Sequence, residues 1–307
     1  MLKYLFFLSF FYDLCIASEP ISPIPQTVEY DKAKALLGKK LFFDTALSRD
    51  NTVCCNSCHV LREGGADENQ VSVGVEGRKG NIQSPTVYNA RYNFKQFWNG
   101  RARNLKEQAS GPINNPHEQD MNPQLIEKRL NASKIYRNLF KKIYHTTRIS
   151  YNEVINAIVE FEKILITPNA KFDRYLRGEV KLSQQEEKGY ALFKQYGCIT
   201  CHNGINIGGN SFQKMGTFFP YKTKADYPDR AKVTGLKRYK NVFKVPTLRN
   251  IALTSPYFHD GSAKTLLQAV QRMSHFNLGV EIPKKDAKDI VAFLKTLTGV
   301  KPKILDK

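Results

Sequence analysis

The sequence predicts a mainly α-helical protein that is built from two similar halves joined by long loops. The first observation is the motif Cys-x-x-Cys-His, which occurs at residues 55–59 and again at residues 198–202. The second is the pattern Gly-x-x-Leu-Phe, which precedes these motifs at Gly38 and Gly189 and fits a helix that leads into each. The third is that no segment shows the pattern of an extended sheet. The sequence therefore predicts that one helical unit occurs twice in the chain.

Each Cys-x-x-Cys-His motif predicts a covalently attached c-type haem. Two thiols one helical turn apart can add to the two vinyl groups of a porphyrin, and the adjacent imidazole, His59 or His202, then becomes the proximal iron ligand. The predicted attachment residues are Cys55, Cys58, Cys198 and Cys201. Zinc binding and dithiol chemistry are the alternatives. They are disfavoured because two complete motifs are improbable by chance in a chain with six Cys and six His.

Start and stop signals define the main helices. The pairs Ser150-x-x-Glu153 and Ser183-x-x-Glu186 are capping boxes, each at the start of a helix. The first helix is expected to end before Pro168, and a last helix is expected from about Pro283 to Gly299. Helical spacing predicts these buried positions: Val154, Ile158, Phe161 and Leu165 in the first, and Ala287, Ile290, Leu294 and Leu297 in the last.

The domain boundary is predicted between Pro168 and Leu182. Residues 19–168 then form an N-terminal haem domain and residues 169–299 a C-terminal one, both of the class I cytochrome c-like type. Residues 300–307 are expected to pack back on the N-terminal domain. Two segments rich in Gly, Pro and polar residues, 62–90 and 203–246, are predicted to be long loops that line the haems.

Residues 1–18 are predicted to be a cleaved signal peptide, with Lys3 before a short apolar core. That core is too short to span a bilayer, and Cys15 lies in a poor context for lipid attachment. Since covalent haem attachment in bacteria takes place outside the cytoplasmic membrane, we expect a soluble periplasmic protein. Cys54 is the one cysteine left over, and it is expected to be a neighbour of the first motif without a role of its own.

The chain is strongly basic, because 47 Lys and Arg residues against 28 Asp and Glu residues give a formal net charge of +19. Such a charge suggests an anionic partner, for example an acidic electron-donor protein, a nucleic acid or a membrane surface. Export makes nucleic acid an unsuitable partner. The basic residues are spread along the chain, so a generally cationic surface explains the charge as well as a docking patch does.

Seven short segments outside the haem motifs resemble one known family in sequence and in order. They are Leu41-Phe42-Phe43-Asp44, Ser84-Pro85-Thr86-Val87, Trp98-Asn99-Gly100-Arg101-Ala102, Glu107-Gln108-Ala109-Ser110-Gly111-Pro112, Asn115-Pro116-His117-Glu118, Val245-Pro246-Thr247-Leu248-Arg249-Asn250 and Pro256-Tyr257-Phe258-His259-Asp260-Gly261. The family is the bacterial di-haem cytochrome c peroxidases, and the match runs from about Gly38 to Gly299. The resemblance implies an enzyme that reduces hydrogen peroxide to water with electrons from a small periplasmic cytochrome or copper protein, commonly as a homodimer.

The resemblance assigns roles to three residues near the first haem. Glu118 matches the catalytic Glu, and a carboxylate suits O–O cleavage because it can accept a proton from one oxygen and return it to the other. Gln108 matches an amide that orients the peroxide. Trp98, the only tryptophan, matches a residue between the haems and is expected to carry electrons or to pack the domain interface. Without the resemblance, Glu118 and Gln108 would read as ordinary surface residues.

The second haem is expected to have a Met as its sixth ligand, because a thioether raises the reduction potential. Met273 lies at the ligand position of the family, while Met215 and His275 are rivals. A Met at this position also separates the chain from related maturation enzymes, which carry Tyr there and oxidise a tryptophan of a partner protein. His259 is expected to form a hydrogen bond with a haem propionate rather than to ligate iron.

The resemblance also implies one calcium ion between the domains. Thr254 and Pro256 match two carbonyl donors, but Gln83 replaces the family's Asn, so calcium is a possible rather than an assured cofactor.

The sequence departs from the family at one functional position. Many relatives rest with a loop His on the first iron, and Val75 occupies that position here, with no His between His59 and His117. An alkyl group cannot bind iron, so we hypothesise that the first haem is five-coordinate or water-bound at rest. Capping by His117 or by Glu76 is the alternative.

Two other functions are weighed against a peroxidase. A di-haem electron carrier or redox sensor would need both irons capped, and the first haem lacks an evident sixth ligand. A peroxide-driven oxidase that acts on an unidentified protein is the third reading.

Overall fold

The computed structural model describes residues 19–222 and 227–306, and the described chain is mainly helical with little sheet, as predicted. The predicted signal peptide, residues 1–18, lies outside the described residues. The helices are α1 (Lys32–Phe42), α2 (Cys55–Cys58), α3 (Leu105–Asn114), α4 (Pro123–Ala132), α5 (Lys134–Tyr144), α6 (Tyr151–Ile164), α7 (Lys171–Leu176), α8 (Gln184–Gln195), α9 (Arg230–Thr234), α10 (Leu266–Met273) and α11 (Lys284–Lys295). The strands β1 (Phe212–Lys214) and β2 (Val242–Lys244) pair antiparallel, with Gln213 opposite Phe243.

The predicted helix signals are confirmed at the starts of α6 and α8. Ser150 and Ser183 each accept a hydrogen bond from the backbone of the Glu three residues on, and that Glu returns a bond to the cap. The end of the last helix differs from the prediction, because α11 ends at Lys295 and a turn with hydrogen bonds between residues three apart leads from it toward Gly299. All eight apolar positions predicted for α6 and α11 are buried, and two of them, Leu165 and Leu297, lie just beyond the helix ends.

The prediction of a plain loop over residues 203–246 is wrong. Strands β1 and β2 and the short helix α9 lie within it, and Asp229 caps α9 by accepting a bond from the backbone of Lys232. Elements of three to five residues are too short to show a period in the sequence. Segment 62–90 is irregular as expected, apart from a 3₁₀ turn at Val75–Gly77 and a second one that begins at Ala90.

Each half is organised around one pair of crossed helices, α1 against α6 and α8 against α11. The crossing is so close that a Cβ atom on Gly38 would lie 1.9 Å from the carbonyl oxygen of Ala157, and one on Gly189 would lie 1.9 Å from that of Asp289. The same glycine therefore makes the same contact in both halves. The repeated Gly-x-x-Leu-Phe pattern marks this contact.

A Gly189→Ala variant should be less stable by about 2 kcal/mol or more, because the new methyl group has no space between the two helix backbones. Ala favours an unstrained helix by about 1 kcal/mol over Gly, so a loss would show that the crossing dominates. The midpoint of thermal unfolding checks this, with exposed Glu187→Ala of the same helix as the control. A variant more stable than the parent would contradict the close crossing.

The two ends of the described chain each pack on the opposite half. Ile21 is buried in the second core, whereas Ile304 and Leu305 pack against the first. The Lys39 ammonium donates a hydrogen bond to the carbonyl of Ile304 at 2.8 Å. The two halves are therefore tied together at both ends of the chain.

Candidate active site

One cavity of about 530 Å³ reaches both motif histidines, His59 and His202. Its walls come from both halves and include Trp98 from the first and His259 from the second. These two rings meet edge to face, with centroids 6.2 Å apart. The two Cys-x-x-Cys-His motifs therefore open into one continuous space.

The cavity walls repeat the same backbone in segments 83–112 and 244–273. Both have a left-handed Asn at the start of a 3₁₀ turn, a left-handed Phe, a left-handed Gly, and a side-chain cap at the start of the helix that follows. These landmarks are Asn89 and Asn250, Phe97 and Phe258, Gly100 and Gly261, and the caps Asn104 of α3 and Thr265 of α10. Since the spacing between landmarks is equal in both segments, each residue of one has a counterpart in the other.

The counterparts differ where they line the cavity. The differing pairs include Gln83 and Lys244, Trp98 and His259, Gln108 and Ala269, and Pro112 and Met273. The sequence analysis missed this correspondence. Two copies of one fold thus surround the two motif histidines with different chemistry.

Both motif histidines are suited to bind iron as neutral imidazoles. Burial lowers the pKa of His59 and of His202 to about 4, so each ring is uncharged near neutral pH and keeps a lone pair. The Nδ1 atom of His202 lies 3.3 Å from the carbonyl oxygen of Ile207, which favours a proton on Nδ1 and leaves Nε2 to bind a metal.

A buried lysine in the cavity supports the fit of haem to this space. Lys244 is 7% exposed, its pKa falls to about 8 through burial, and no acidic side chain in residues 19–222 and 227–306 pairs with it. An unpaired buried ammonium is costly, and a haem propionate would supply the missing negative charge. His259 lines the same cavity and stacks on Phe243 with ring centroids 4.1 Å apart. Cavity, cysteines, histidines and cation therefore fit two haems.

Glu118 and Gln108 line the cavity on the His59 side. One carboxylate oxygen of Glu118 accepts a hydrogen bond from the amide of Asn115 at 2.6 Å, which fixes its orientation. Burial raises the pKa of Glu118 above its usual value, although the Asn115 bond and the nearby Arg101 charge oppose this rise. Arg101 also lines the cavity, with its guanidinium 3.4 Å from the centre of the Phe97 ring. A buried carboxyl with a raised pKa thus lines the cavity on the side of the first haem position.

Two of the three proposed sixth ligands face the second haem position. Met273, the last residue of α10, and Met215 both line the cavity, and they belong to one apolar cluster. His275 instead pairs with Glu281 and stacks on Phe219, with ring centroids 4.6 Å apart. The geometry therefore favours a methionine over His275.

The residues weighed as caps of the first haem lie elsewhere. Val75 is fully buried, and its backbone N–H donates to the carbonyl of Glu118 at 2.9 Å. Glu76 has an exposed side chain that pairs with Arg78, and His117 is exposed. Neither alternative ligand points to the cavity in this structure.

The three residues of the possible calcium site, Gln83, Thr254 and Pro256, all line the cavity. The Trp98 indole donates to the backbone carbonyl of Gln83 at 2.8 Å, and the Gln83 amide donates to the carbonyl of Asp67 at 3.4 Å. In the described ranges, no group of three or more His, Cys, Asp or Glu residues is placed to hold a metal ion. Any calcium would depend on carbonyl and amide oxygens.

Comparison with known proteins gives a consistent result. Residues 32–181 match the family model for di-haem cytochrome c peroxidase, and residues 186–298 match that for cytochrome c. The cytochrome c551 peroxidase of Nitrosomonas europaea is 49% identical over 93% of this chain and 86% of its own length. Cytochrome c peroxidase Ccp of Escherichia coli is 44% identical over 92% of this chain and 62% of its own. A crystal structure of a MauG-like protein associated with microbial copper homeostasis superposes with a TM-score of 0.81 at 26% identity, covering 95% of this chain and 96% of that one.

Proposed function

Because the chain belongs to the di-haem cytochrome c peroxidase family and is an oxidoreductase with two haems c, we propose that it reduces hydrogen peroxide to water with electrons from a small redox protein. One observation carries the proposal: the two haem positions are unequal. Met273 of the second half faces the cavity, whereas its counterpart in the first half is Pro112, which cannot ligate iron. An iron left open beside Glu118 and Gln108 suits peroxide.

Bound at His59, haem iron would polarise the O–O bond of peroxide. The Glu118 carboxylate accepts a proton from the oxygen nearer the iron and returns it to the departing oxygen, which leaves as water. Burial raises the pKa of Glu118, which makes its carboxylate a better proton acceptor in the first of these transfers. The Gln108 amide orients the peroxide, and Arg101 supplies positive charge at the same wall.

The second half is proposed to take electrons in, with His202 and Met273 as the ligands of its haem. Trp98 and His259 occupy equivalent positions in the two walls and meet edge to face, which makes them a natural contact between the two haem positions. The proposed donor is a small c-type cytochrome or copper protein, and the net charge of +19 favours an acidic one.

A periplasmic location is part of the proposal, because covalent haem attachment in bacteria takes place outside the cytoplasmic membrane. No helix within residues 19–222 and 227–306 is both long enough and apolar enough to cross a bilayer. Calcium is proposed as a further cofactor on the oxygens of Thr254, Pro256 and Gln83, and a homodimer as the assembly.

The function is tested by steady-state peroxide reduction with a reduced small c-type cytochrome as donor. We expect the oxidised protein to show one high-spin or water-bound haem and one low-spin haem, and to consume peroxide without prior reductive activation. Two low-spin haems and no turnover would instead favour the electron carrier.

A further inference from the structure

Glu162 of α6 is a buried carboxyl that the proposed mechanism leaves unused. It is 5% exposed, and its Oε2 atom has no hydrogen-bond partner within the described structure. Its neighbour on the same helix, Glu160, is almost as buried but pairs with Lys163 and accepts the backbone N–H of Asp31 at 2.9 Å. Glu162 therefore lacks the partners that offset the burial of Glu160.

Its position connects Glu162 to the first haem. It lines the large cavity, and it also lines a second cavity of about 40 Å³ together with Glu118, Gln108 and Cys55. A space of this size holds about two or three water molecules. Burial raises the pKa of the Cys55 thiol, and a negative charge on Glu162 raises it further; this sulfur would form a thioether to the haem. Glu162 and Glu118 thus face one small space at the edge of the first haem position.

The second half shows what this position holds where no peroxide chemistry is proposed. Gly38 meets Ala157 and Phe161, and Gly189 meets Asp289 and Phe293 in the same way. Phe161 is followed by Glu162 in the first half. Phe293 is followed by Leu294, which is 3% exposed, in the second half. The fold accepts leucine here, so packing does not require the carboxyl. Burial also raises the pKa of Glu162 to about 8.

We propose that Glu162 is a second acid of the peroxide site, which stores a proton beside the first haem and releases it into the cavity shared with Glu118. The inference rests on the proposed function. Reduction of H₂O₂ to two waters consumes two electrons, which the donor supplies, and two protons. The first water forms from the protons that arrive with the peroxide. The second water takes one proton from Glu162 and one from solvent, and solvent then reprotonates the carboxylate.

The first test is spectroscopic. Infrared spectra of the wild-type holoprotein at neutral pH should contain the C=O band of a protonated carboxyl that shifts in D₂O. Glu162→Gln should remove this band, and Glu160→Gln should leave it unchanged. Absence of the band, or its persistence in Glu162→Gln, would overturn the proposal. Glu162→Leu copies the second half and gives the same assignment if the Gln variant fails to fold.

The second test is kinetic and uses the fully reduced enzyme. In Glu162→Gln, the rate of peroxide consumption should stay within about twofold of the wild-type rate. The rate at which the enzyme then returns to its resting state should fall by at least about tenfold. If the variant and the wild type have the same rate in each of the two steps, the proposed role of Glu162 is refuted. A wild-type protein that does not consume peroxide would refute the proposed function instead, so the two failures are distinguishable.

Discussion

A Glu118→Gln variant should lose peroxide turnover by about a hundredfold to ten-thousandfold and retain both haems. Glutamine has the same shape and can still accept the bond from Asn115, which is 2.6 Å long in the parent, so the wall of the site should persist. What it lacks is a carboxylate that accepts a proton and returns it. Steady-state turnover with a reduced small cytochrome, together with the haem absorption spectrum, measures both effects.

Glu76→Gln is the matched control for this substitution. Glu76 lies in the segment packed against the Glu118 loop, but its side chain is exposed and pairs with Arg78. We expect near-normal turnover and an unchanged spectrum of the oxidised protein. Normal turnover in Glu118→Gln would remove Glu118 from the mechanism. A changed spectrum in Glu76→Gln would instead indicate that Glu76 is a ligand of the first iron.

The family, the helical fold and the two haems could be predicted from the sequence, because covalent haem attachment needs fixed residue types at fixed spacing. The capping boxes at Ser150 and Ser183 were also predictable, since each depends on two residues within one turn. Strands β1 and β2 were not, because each has only three residues and is held by its partner rather than by its own pattern.

Two features of the site depend on three-dimensional packing and were therefore missed. Glu162 follows Phe161 and precedes Lys163, a context that indicates the edge of an apolar face. Its burial depends on segments distant in the chain, because it lines a small cavity together with Cys55 and Gln108. The correspondence of Pro112 with Met273 is hidden by the inserted strands, which lengthen the path from His202 to its wall segment relative to the path from His59. The matching left-handed residues of the two segments align Pro112 with Met273, whereas their distances along the chain from His59 and His202 do not.

A Pro112→Met variant should convert the first haem to a six-coordinate, low-spin state and abolish most peroxide turnover. Pro112 and Met273 stand at the same position after their helix caps, and both line the cavity. A thioether placed there would compete with peroxide for the iron. If the ligand leaves the iron open about 1% of the time, turnover at limiting peroxide falls about a hundredfold.

Pro112→Leu separates ligation from the backbone effect of removing proline. Leucine has nearly the volume of methionine but no sulfur, and both residues restore the N–H that proline withholds from the carbonyl of Gln108 in α3. We expect the Leu variant to keep a high-spin or water-bound first haem and most of its activity. If the Met and Leu variants share one spectrum and one rate, then Pro112 does not stand where Met273 stands. The inequality of the two haems would then need another cause than the residue at this position.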